Sequence, residues 1–200
     1  MHPKKERTFV ILKPDSVQRS LVGEILRRFE NMGLKIVGMK MLRATEEQVW
    51  AHYNKNDEWF LKKGTQSVEN RTKAGMPIEK EASEYGKDII RGAVKYIMAS
   101  PVIALVLEGN QSVAVVKKLV GGTEPTTSDV GTIRGDYTLD SYAMSDYDGT
   151  RSIRNLVHCT DKVEEAEFEI NLWFKPEEIF DYKHIQDIML YDVNMDGILD

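Results

Sequence analysis

One histidine ends an apolar run that is typical of a buried strand. His158 follows Leu156 and Val157, and the residues after it, Cys-Thr-Asp, resemble a helix start capped by Thr160 or Asp161. This position would place the imidazole beside free backbone N–H groups, which readily hold a phosphate. This position is compatible with catalysis at a phosphate, although a lone histidine at a strand end is more often a structural residue with an ordinary hydrogen bond.

A second feature is the long segment with almost no apolar residues between Gly121 and Asp136. A structureless stretch of this length inside a compact domain is usually functional. Glycines let a ligand approach the backbone, and hydroxyl and guanidinium groups can hydrogen-bond phosphate oxygens. The residues of these types are Gly121, Gly122, Thr123, Thr126, Thr127, Ser128, Gly131, Thr132, Arg134 and Gly135. The composition is compatible with a polyphosphate cradle and also with a solvated surface loop, because turn residues are polar in either case. The motif GxxxxGK[ST] is absent from the chain, which excludes a P-loop.

Other carboxylates and histidines give weaker signals. Glu169 follows His158 by 11 residues and, with three nearby glutamates, matches a solvated helix face unless the fold returns it to the histidine. His2, His52 and His184 are far apart and lack the spacing of a metal site. The C-terminal DxNxDG matches only the first half of a calcium loop, so we interpret it as a polar tail.

Hydrophobic periodicity predicts the elements that must position these groups. Strands are expected at 7–13, 34–42, 102–107 and 153–158, the last as an inner strand, and helices at 21–32, 45–53, 88–99, 110–120 and 163–173. Strands separated by single helices favour an α+β fold of the split βαβ type, a sandwich with helices on one face of an antiparallel sheet. A doubly wound fold would require a glycine-rich turn where this chain has KPDSVQR.

Two stretches interrupt the pattern. Residues 55–87 are mostly charged, with scattered apolar residues such as Trp59 and Phe60, and we expect a solvated insertion with some helix. Residues 139–150 form a hydrophilic excursion before the last strand. The expected organisation is one domain over 1–200 that contains both insertions and ends in a tail at 183–200.

Composition excludes several classes of protein. With 200 residues, 42% of them hydrophobic, the chain can bury one substantial core. A net charge of −5 argues against nucleic acid or an anionic membrane as the main partner, so any phosphate site must be a local basic cluster. The single cysteine, Cys159, excludes an internal disulfide and suits the cytoplasm. Neither a signal peptide nor a membrane span is expected, since no run reaches about 18 apolar residues.

Several separated motifs together resemble those of nucleoside diphosphate kinases. In chain order they are ERTFVILKPDSVQR, GEILRRFENMGLKIVGMK, GTIRGDY, NLVH and EINLWFKPEEIFDY, and they extend from Glu6 to Tyr182. The resemblance implies a ferredoxin-like α+β fold and a homo-oligomer, either a hexamer or a tetramer. It also implies transfer of the γ-phosphate of a nucleoside triphosphate to a nucleoside diphosphate through a phosphohistidine, with Mg²⁺ as cofactor.

The resemblance also implies roles for single residues. His158 in NLVH would be the nucleophile and phosphate carrier, Glu169 would orient its imidazole, and Tyr53 would pack beside it. Lys13, counted with the catalytic group, would also contact the nucleotide. The further nucleotide contacts implied are Lys117, Thr123, Arg134 and Asn155, with Phe60 or Trp59 stacking on the base. Phosphates and water would hold the metal, so no protein ligand is expected for it.

The chain departs from the family pattern at three places. Lys117 stands where the family usually has arginine, which keeps the charge but loses the bidentate fork. The usual Gly-Ser after the active histidine is replaced by Cys159 and Thr160, and Ser16 replaces a frequent glycine. Two alternatives remain open. One is a catalytically silent nucleotide-binding or regulatory module of the same fold, and the other is a nucleic-acid-binding protein.

Overall fold

The computed structural model describes residues 5–147 and 151–192, together with Asn194 and Asp196. His2, residues 148–150 of the excursion and residues 193, 195 and 197 of the C-terminal DxNxDG lie outside the described residues. The strands are β1 (Glu6–Leu12), β2 (Lys35–Leu42), β3 (Val102–Gly109) and β4 (Val157–Cys159). The helices are α1 (Pro14–Gln18), α2 (Val22–Asn31), α3 (Glu46–Tyr53), α4 (Asp57–Lys73), α5 (Ala82–Met98), α6 (Ser112–Val120), α7 (Ile133–Tyr137), α8 (Tyr142–Tyr147), α9 (Val163–Trp173) and α10 (Ile185–Tyr191). Short 3₁₀ turns lie at Pro125–Thr127 and Pro176–Glu178.

The four described strands form one antiparallel sheet in the order β2-β3-β1-β4, which confirms the predicted α+β fold. The end of β1 pairs with β4, and this register places Ile11 opposite His158 and Leu12 opposite Val157. β4 is three residues long and lies at the sheet edge, so the expectation of an inner strand over 153–158 is wrong. The pairing brings Lys13, the first residue after β1, next to the strand that carries the histidine.

Helices pack on both faces of the sheet, whereas the sequence pattern predicted them on one. Phe9 and Ile11 join a core that contains residues of α3, α5 and α9, and Val10 and Leu12 join a second core with α2 and α6. Because successive strand residues point to opposite faces, the fully buried run of β1 requires cover on both sides. This arrangement holds α9 against β1 on the first face.

The segment 55–87 is mostly exposed, as expected, and forms a helical hairpin in which α4 is followed by the start of α5. α4 begins after Asn56, whose side chain accepts a hydrogen bond of 3.0 Å from the Trp59 N–H. α5 begins at Ala82, six residues before the predicted start of that helix. Trp59 and Phe60, at the start of α4, are partly buried against the core that contains Phe9.

Two glycines allow α4 and α5 to pack with their backbones in contact. A Cβ on Gly64 would overlap the carbonyl oxygen of Ala82, and a Cβ on Gly86 would overlap that of Phe60. Glycine leaves no apolar signature in the sequence, which explains why periodicity does not reveal the hairpin. The two helices have 17 residues each, and none of the described helices is long and apolar enough to cross a membrane.

Hydrogen bonds join the described part of the 139–150 excursion to the segments around Glu124 and Arg154. The Asp140 carboxylate accepts hydrogen bonds from both terminal nitrogens of Arg151, at 2.6 and 2.9 Å, and from the Arg154 N–H at 2.6 Å. These bonds hold the pKa of Asp140 below its usual value, with the Arg151 bond as the main cause. The Tyr142 N–H donates to the Glu124 carboxylate at 2.8 Å, which ties the first residue of α8 to the predicted phosphate segment.

Candidate active site

A kinked backbone at Leu156 sets the direction in which the chain enters β4. Leu156 has a φ of 63°, in the left-handed region that costs a residue with a side chain about 1–2 kcal/mol. Its carbonyl oxygen accepts from the Lys13 N–H at 2.8 Å and from the Ser16 hydroxyl at 2.7 Å, and its N–H donates to Asp15 at 3.1 Å. The turn after β1 therefore holds the kink two residues before His158, and Ser16, one of the departures, contributes a hydrogen bond to it.

His158 is joined to a carboxylate from α9. Nε2 of His158 lies 3.2 Å from Oε1 of Glu169, and Oε2 of Glu169 accepts a hydrogen bond of 2.5 Å from the Thr160 hydroxyl. The same hydroxyl oxygen accepts from the Phe9 N–H at 3.1 Å, so β1 also fixes this group. Packing of α9 on β1 thus brings together two residues that are 11 positions apart, as the resemblance implied.

The predicted cap of the closing helix is wrong. α9 begins at Val163, and its N-cap is Lys162, whose side chain makes no capping bond. Neither Thr160 nor Asp161 occupies the cap position. The Thr160 hydroxyl is used by Glu169, and the Asp161 carboxylate pairs with Lys117.

The electrostatic surroundings keep the imidazole of His158 neutral. Burial lowers its pKa to about 3, and the nearby positive charges of Lys13 and Arg134 act in the same direction. A neutral ring that donates its Nε2 proton to Glu169 carries a free lone pair on Nδ1. Burial raises the pKa of Glu169, while its hydrogen bond from Thr160 opposes that rise. The geometry therefore presents Nδ1 as a nucleophile whose other nitrogen is already partnered.

Lys13 and Asn155 form a buried polar chain that leads toward the phosphate segment. Nζ of Lys13 donates to Oδ1 of Asn155 at 2.7 Å, and Nδ2 of Asn155 donates to the Thr123 carbonyl at 2.9 Å. Burial, with a contribution from Arg134, lowers the pKa of Lys13 to about 7. The Thr123 side chain is exposed. One amide thus links the lysine to the segment predicted to bind polyphosphate.

Arg134 is buried and crosslinks two segments through backbone carbonyls. Its Nη1 donates to Gly121 and Gly122 at 3.0 Å each, its Nε to Asn155 at 3.1 Å, and its Nη2 to Val157 at 2.6 Å. The side chain is 7% exposed. Arg134 thus fixes the glycine turn relative to the strand of His158 and adds a positive charge close to the imidazole.

Lys117, on α6, is exposed and pairs with Asp161, three residues after His158. Its Nζ is 2.9 Å from Oδ1 of Asp161, and the two side chains are 54% and 68% exposed. This hydrogen bond raises the pKa of Lys117, so the ammonium is charged at pH 7. An exposed ion pair of this kind contributes about 0–1 kcal/mol, so it can open for a more highly charged ligand.

The family model for nucleoside diphosphate kinase matches residues 6–81 and 79–179 of the chain. The chain belongs to the nucleoside diphosphate kinase family. It is a phosphotransferase that acts on nucleotides, and the predictions of family and enzyme activity are confirmed.

Relatives match over almost their whole length. The nucleoside diphosphate kinase of Pyrobaculum aerophilum is 42% identical over 88% of this chain and 98% of the relative, and nucleoside diphosphate kinase B of Mus musculus is 38% identical over 94% and 97%. The crystal structure of an NDP kinase from Pyrobaculum aerophilum has a TM-score of 0.83, with 41% identity over 88% of this chain and all of that one. A Borrelia burgdorferi enzyme, solved as a transition state mimic with bound vanadate and ADP, has a TM-score of 0.77, with 34% identity over 93% and 96% of the two chains.

In this kinase Tyr53 and Phe60, the aromatic residues predicted for the site, contact other aromatic side chains. The ring of Tyr53 contacts that of His52, with centroids 5.2 Å apart, and the ring of His52 is the one packed on His158, at 4.3 Å. Burial raises the pKa of Tyr53, so the phenol stays neutral. Phe60 packs edge-on against Trp59 at 5.7 Å, beside the core. The described contacts place neither Tyr53 nor Phe60 against the imidazole ring.

Two residues packed around His158 in this kinase, His52 and Trp173, were not predicted from the sequence. His52 is 5% exposed, and its Nδ1 accepts a hydrogen bond of 3.3 Å from Nε1 of Trp173. Trp173 in turn stacks on Phe9. Separation along the chain was a poor guide here, because α3 and α9 pack side by side. A histidine directly before Tyr53, on a helix already assigned to the site, was the available signal.

His52, His158 and Glu169 also form the one group of potential metal ligands found among the described residues. Their ligand atoms lie within 4.8 Å of one another. However, Trp173 occupies Nδ1 of His52, and Glu169 is hydrogen-bonded to His158 and Thr160. The group is nitrogen-rich and internally hydrogen-bonded, which does not suit Mg²⁺, a metal that prefers oxygen ligands.

The departure at Cys159 has a structural explanation. The Cys159 side chain is buried among the residues of the second core, and burial raises the pKa of its thiol to about 11. A thiol with that pKa is protonated at pH 7 and a poor nucleophile. In this kinase Cys159 therefore acts as a small apolar residue, while Thr160 retains a hydroxyl beside the histidine.

Proposed function

We propose that His158 carries the phosphoryl group between nucleotides in a ping-pong reaction. Nδ1 of His158 attacks the γ-phosphorus of a nucleoside triphosphate, the bond to the bridging β–γ oxygen breaks, and a nucleoside diphosphate leaves. A terminal phosphate oxygen of a second nucleoside diphosphate then attacks the phosphorus, and the imidazole leaves as a neutral ring. The observation that carries the proposal is the pairing of Nε2 with Glu169, because it leaves Nδ1 as the free nitrogen.

The first step changes the charge of the imidazole but removes no proton from it. Nδ1 has no proton to lose, and the ring becomes positively charged when the N–P bond forms. The Nε2–H remains on the ring, and the Glu169 carboxylate at 3.2 Å stabilises the new charge. The Thr160 hydroxyl holds that carboxylate in place. Glu169 thus acts through the imidazole and needs no contact with the nucleotide.

Three basic residues would bind and orient the phosphates. Lys13 lies beside the imidazole with a pKa near 7, and phosphate charges close to it would favour its protonated form. Arg134 supplies a fixed charge and orders the Gly121–Gly122 turn. Lys117 supplies an exposed, mobile charge near Asp161. The exposed hydroxyl of Thr123 and the amide of Asn155 complete the predicted contacts. Vanadate and ADP bound to the Borrelia relative support a phosphoryl-transfer site on this fold.

The base would stack on an aromatic residue of the α4–α5 hairpin. Trp59 and Phe60 are the partly buried aromatic residues at the start of α4. Stacking on an aromatic ring tolerates every base, so weak discrimination between nucleotides is expected. Tyr53, which supports His52 from behind, would then help position the site without contacting the phosphate.

Mg²⁺ is the expected metal. The carboxylates nearest His158 are already paired, Glu169 with His158 and Thr160 and Asp161 with Lys117, which fits a metal that arrives with the nucleotide and is held by phosphates and water. When bound, Mg²⁺ would neutralise part of the charge on the transferring phosphates.

The organisation expected from the sequence also remains part of the proposal. The chain would be one kinase domain over 1–200, with insertions at 55–87 and 139–150 and a tail at 183–200. It would act in the cytoplasm as a homo-oligomer, a hexamer or a tetramer.

The test is an exchange assay with ATP and dTDP, run beside a search for acid-labile phosphate on the protein. Wild type should form dTTP and carry the label, whereas His158→Asn should do neither. His184→Gln, a histidine variant outside the site, is the matched control and should behave as wild type. Exchange by His158→Asn at the wild-type rate would exclude the covalent route. Binding of ATP with neither label on the protein nor transfer to dTDP would favour the silent module.

A further inference from the structure

A second buried histidine packs against the proposed nucleophile and has no role in the reaction described above. The ring centroids of His52 and His158 are 4.3 Å apart, and the ring planes are nearly perpendicular, at 82°. His52 is held in turn by contacts with Phe9, Tyr53 and Trp173. The ring of His52 is therefore held in a fixed position against the imidazole of His158.

The hydrogen bond from Trp173 fixes the tautomer of His52. An indole N–H can only donate, so Nδ1 of His52, 3.3 Å from Nε1 of Trp173, must be unprotonated. Burial lowers the pKa of His52 to about 3, so its ring is neutral at pH 7 and its proton resides on Nε2. That nitrogen is buried and has no hydrogen-bond partner among the residues that the structure describes. In this tautomer the Nε2–H of His52 is therefore a buried, unpaired donor.

The tautomer matters because both histidines approach the same carboxylate oxygen. Oε1 of Glu169 is 3.2 Å from Nε2 of His158 and 3.8 Å from Nδ1 of His52. A proton on Nδ1 of His52 would compete for this oxygen and weaken the bond that orients His158. While Trp173 occupies Nδ1, His52 offers Glu169 no proton, and Oε1 stays available to His158.

We propose that His52 is a positioning residue for phosphoryl transfer, which Trp173 holds in the Nε2–H tautomer so that Glu169 Oε1 is reserved for His158. The proposal rests on the role proposed above for His158. The proposal assigns to the Trp173–His52 pair a function beyond packing. The indole N–H of Trp173, and not only the shape of its ring, determines how Glu169 orients His158.

Two variants separate the tautomer effect from packing. Trp173→Phe keeps an aromatic ring but removes the donor, so His52 can place a proton on Nδ1. Phosphorylation of His158 in a single turnover with ATP should slow by roughly tenfold, as for loss of an orienting interaction, with the Kd for nucleotide unchanged. The double variant His52→Phe/Trp173→Phe keeps both rings but removes the competing proton, so its phosphorylation rate should recover toward wild type. Packing alone predicts the opposite, since the double variant changes more of the core.

Nitrogen-15 NMR of the histidine side chains tests the tautomer directly. Wild type should show His52 protonated on Nε2 with a bare Nδ1, and Trp173→Phe should show protonation on Nδ1. His184→Gln, a variant outside the site, should leave the His52 signals unchanged. The inference is overturned if wild type carries the proton on Nδ1, if Trp173→Phe phosphorylates at the wild-type rate, or if the double variant is slower than the single one. Absence of phosphate on wild-type protein would instead refute the proposed function.

Discussion

The hydroxyl of Thr160 and the carboxylate of Glu169 are joined by a hydrogen bond of 2.5 Å that connects the end of β4 to α9. Because this bond occupies Oε2, the carboxylate cannot rotate without losing it, and Oε1 stays directed at Nε2 of His158. Thr160 is itself anchored to the backbone of Phe9. The orientation of the imidazole is therefore determined by the central strand through two side chains.

Replacement of Glu169 by Gln should slow phosphorylation of the enzyme and leave the fold intact. The amide is similar in size but carries no charge to stabilise the phosphorylated ring. We expect a loss of about 10–10³-fold in the single-turnover rate with ATP, because the imidazole loses an oriented anionic partner. Glu167→Gln, on the exposed side of α9, is the matched control and should have the wild-type rate. An unchanged rate in Glu169→Gln would remove this carboxylate from the mechanism.

The pH dependence of kcat/KM should reveal the depressed pKa of Lys13. As the pH rises through about 7, the free enzyme loses the proton of Lys13 and with it a positive charge beside the imidazole. The profile of kcat/KM, which reports free-enzyme groups, should therefore fall above that pH by about tenfold per unit. Lys13→Arg should have a lower kcat/KM at pH 6 but no decline in this range, because a guanidinium stays charged. If the decline persists in Lys13→Arg, another group causes it.

The sequence predicted the central strands and the amphipathic helices because each has a clear apolar pattern, as in β1 and α5. The position of His158 at a strand end was a signal in the sequence itself, whereas the approach of Glu169, 3.2 Å from its Nε2, was implied only by the resemblance. Spacing alone could not place Glu169 at the histidine, since their approach depends on how α9 packs against β1. The α4–α5 hairpin and the partnership of His52 with Trp173 were not predictable for the same reason. Glycine contacts and long-range hydrogen bonds leave no periodic trace in one sequence.

The close packing of α4 and α5 should make Gly86 intolerant of a side chain. A Cβ at this position overlaps the Phe60 carbonyl oxygen, so Gly86→Ala must push the helices apart. We expect a loss of about 1–3 kcal/mol in the free energy of unfolding, as for overpacked cores. Gly23→Ala, in α2 with no atom within 4 Å of the added Cβ, is the control and should be neutral or stabilising by up to about 1 kcal/mol. Equal stability of Gly86→Ala and wild type in urea titrations would show that the helices are not in backbone contact.

If Phe60 also stacks on the base, Gly86→Ala should raise KM for nucleotides more than it lowers kcat.

Lys117 is the exposed cation that replaces the family's usual arginine, and its pairing with Asp161 shows how it can serve a phosphate. The ion pair is weak because both side chains are more than half exposed, so a triphosphate can draw the ammonium away from Asp161. Lys117→Ala should therefore raise KM for ATP, whereas Lys117→Arg, with a planar fork for two oxygens, should improve kcat/KM by no more than about tenfold, or roughly 1.4 kcal/mol. Lys118→Ala removes the adjacent exposed lysine of α6 and should leave both constants unchanged. Steady-state kinetics of the three variants distinguish a phosphate contact from general surface charge. If Lys117→Ala and Lys118→Ala both match wild type, the lysine belongs to a solvated helix face and contributes nothing to nucleotide binding.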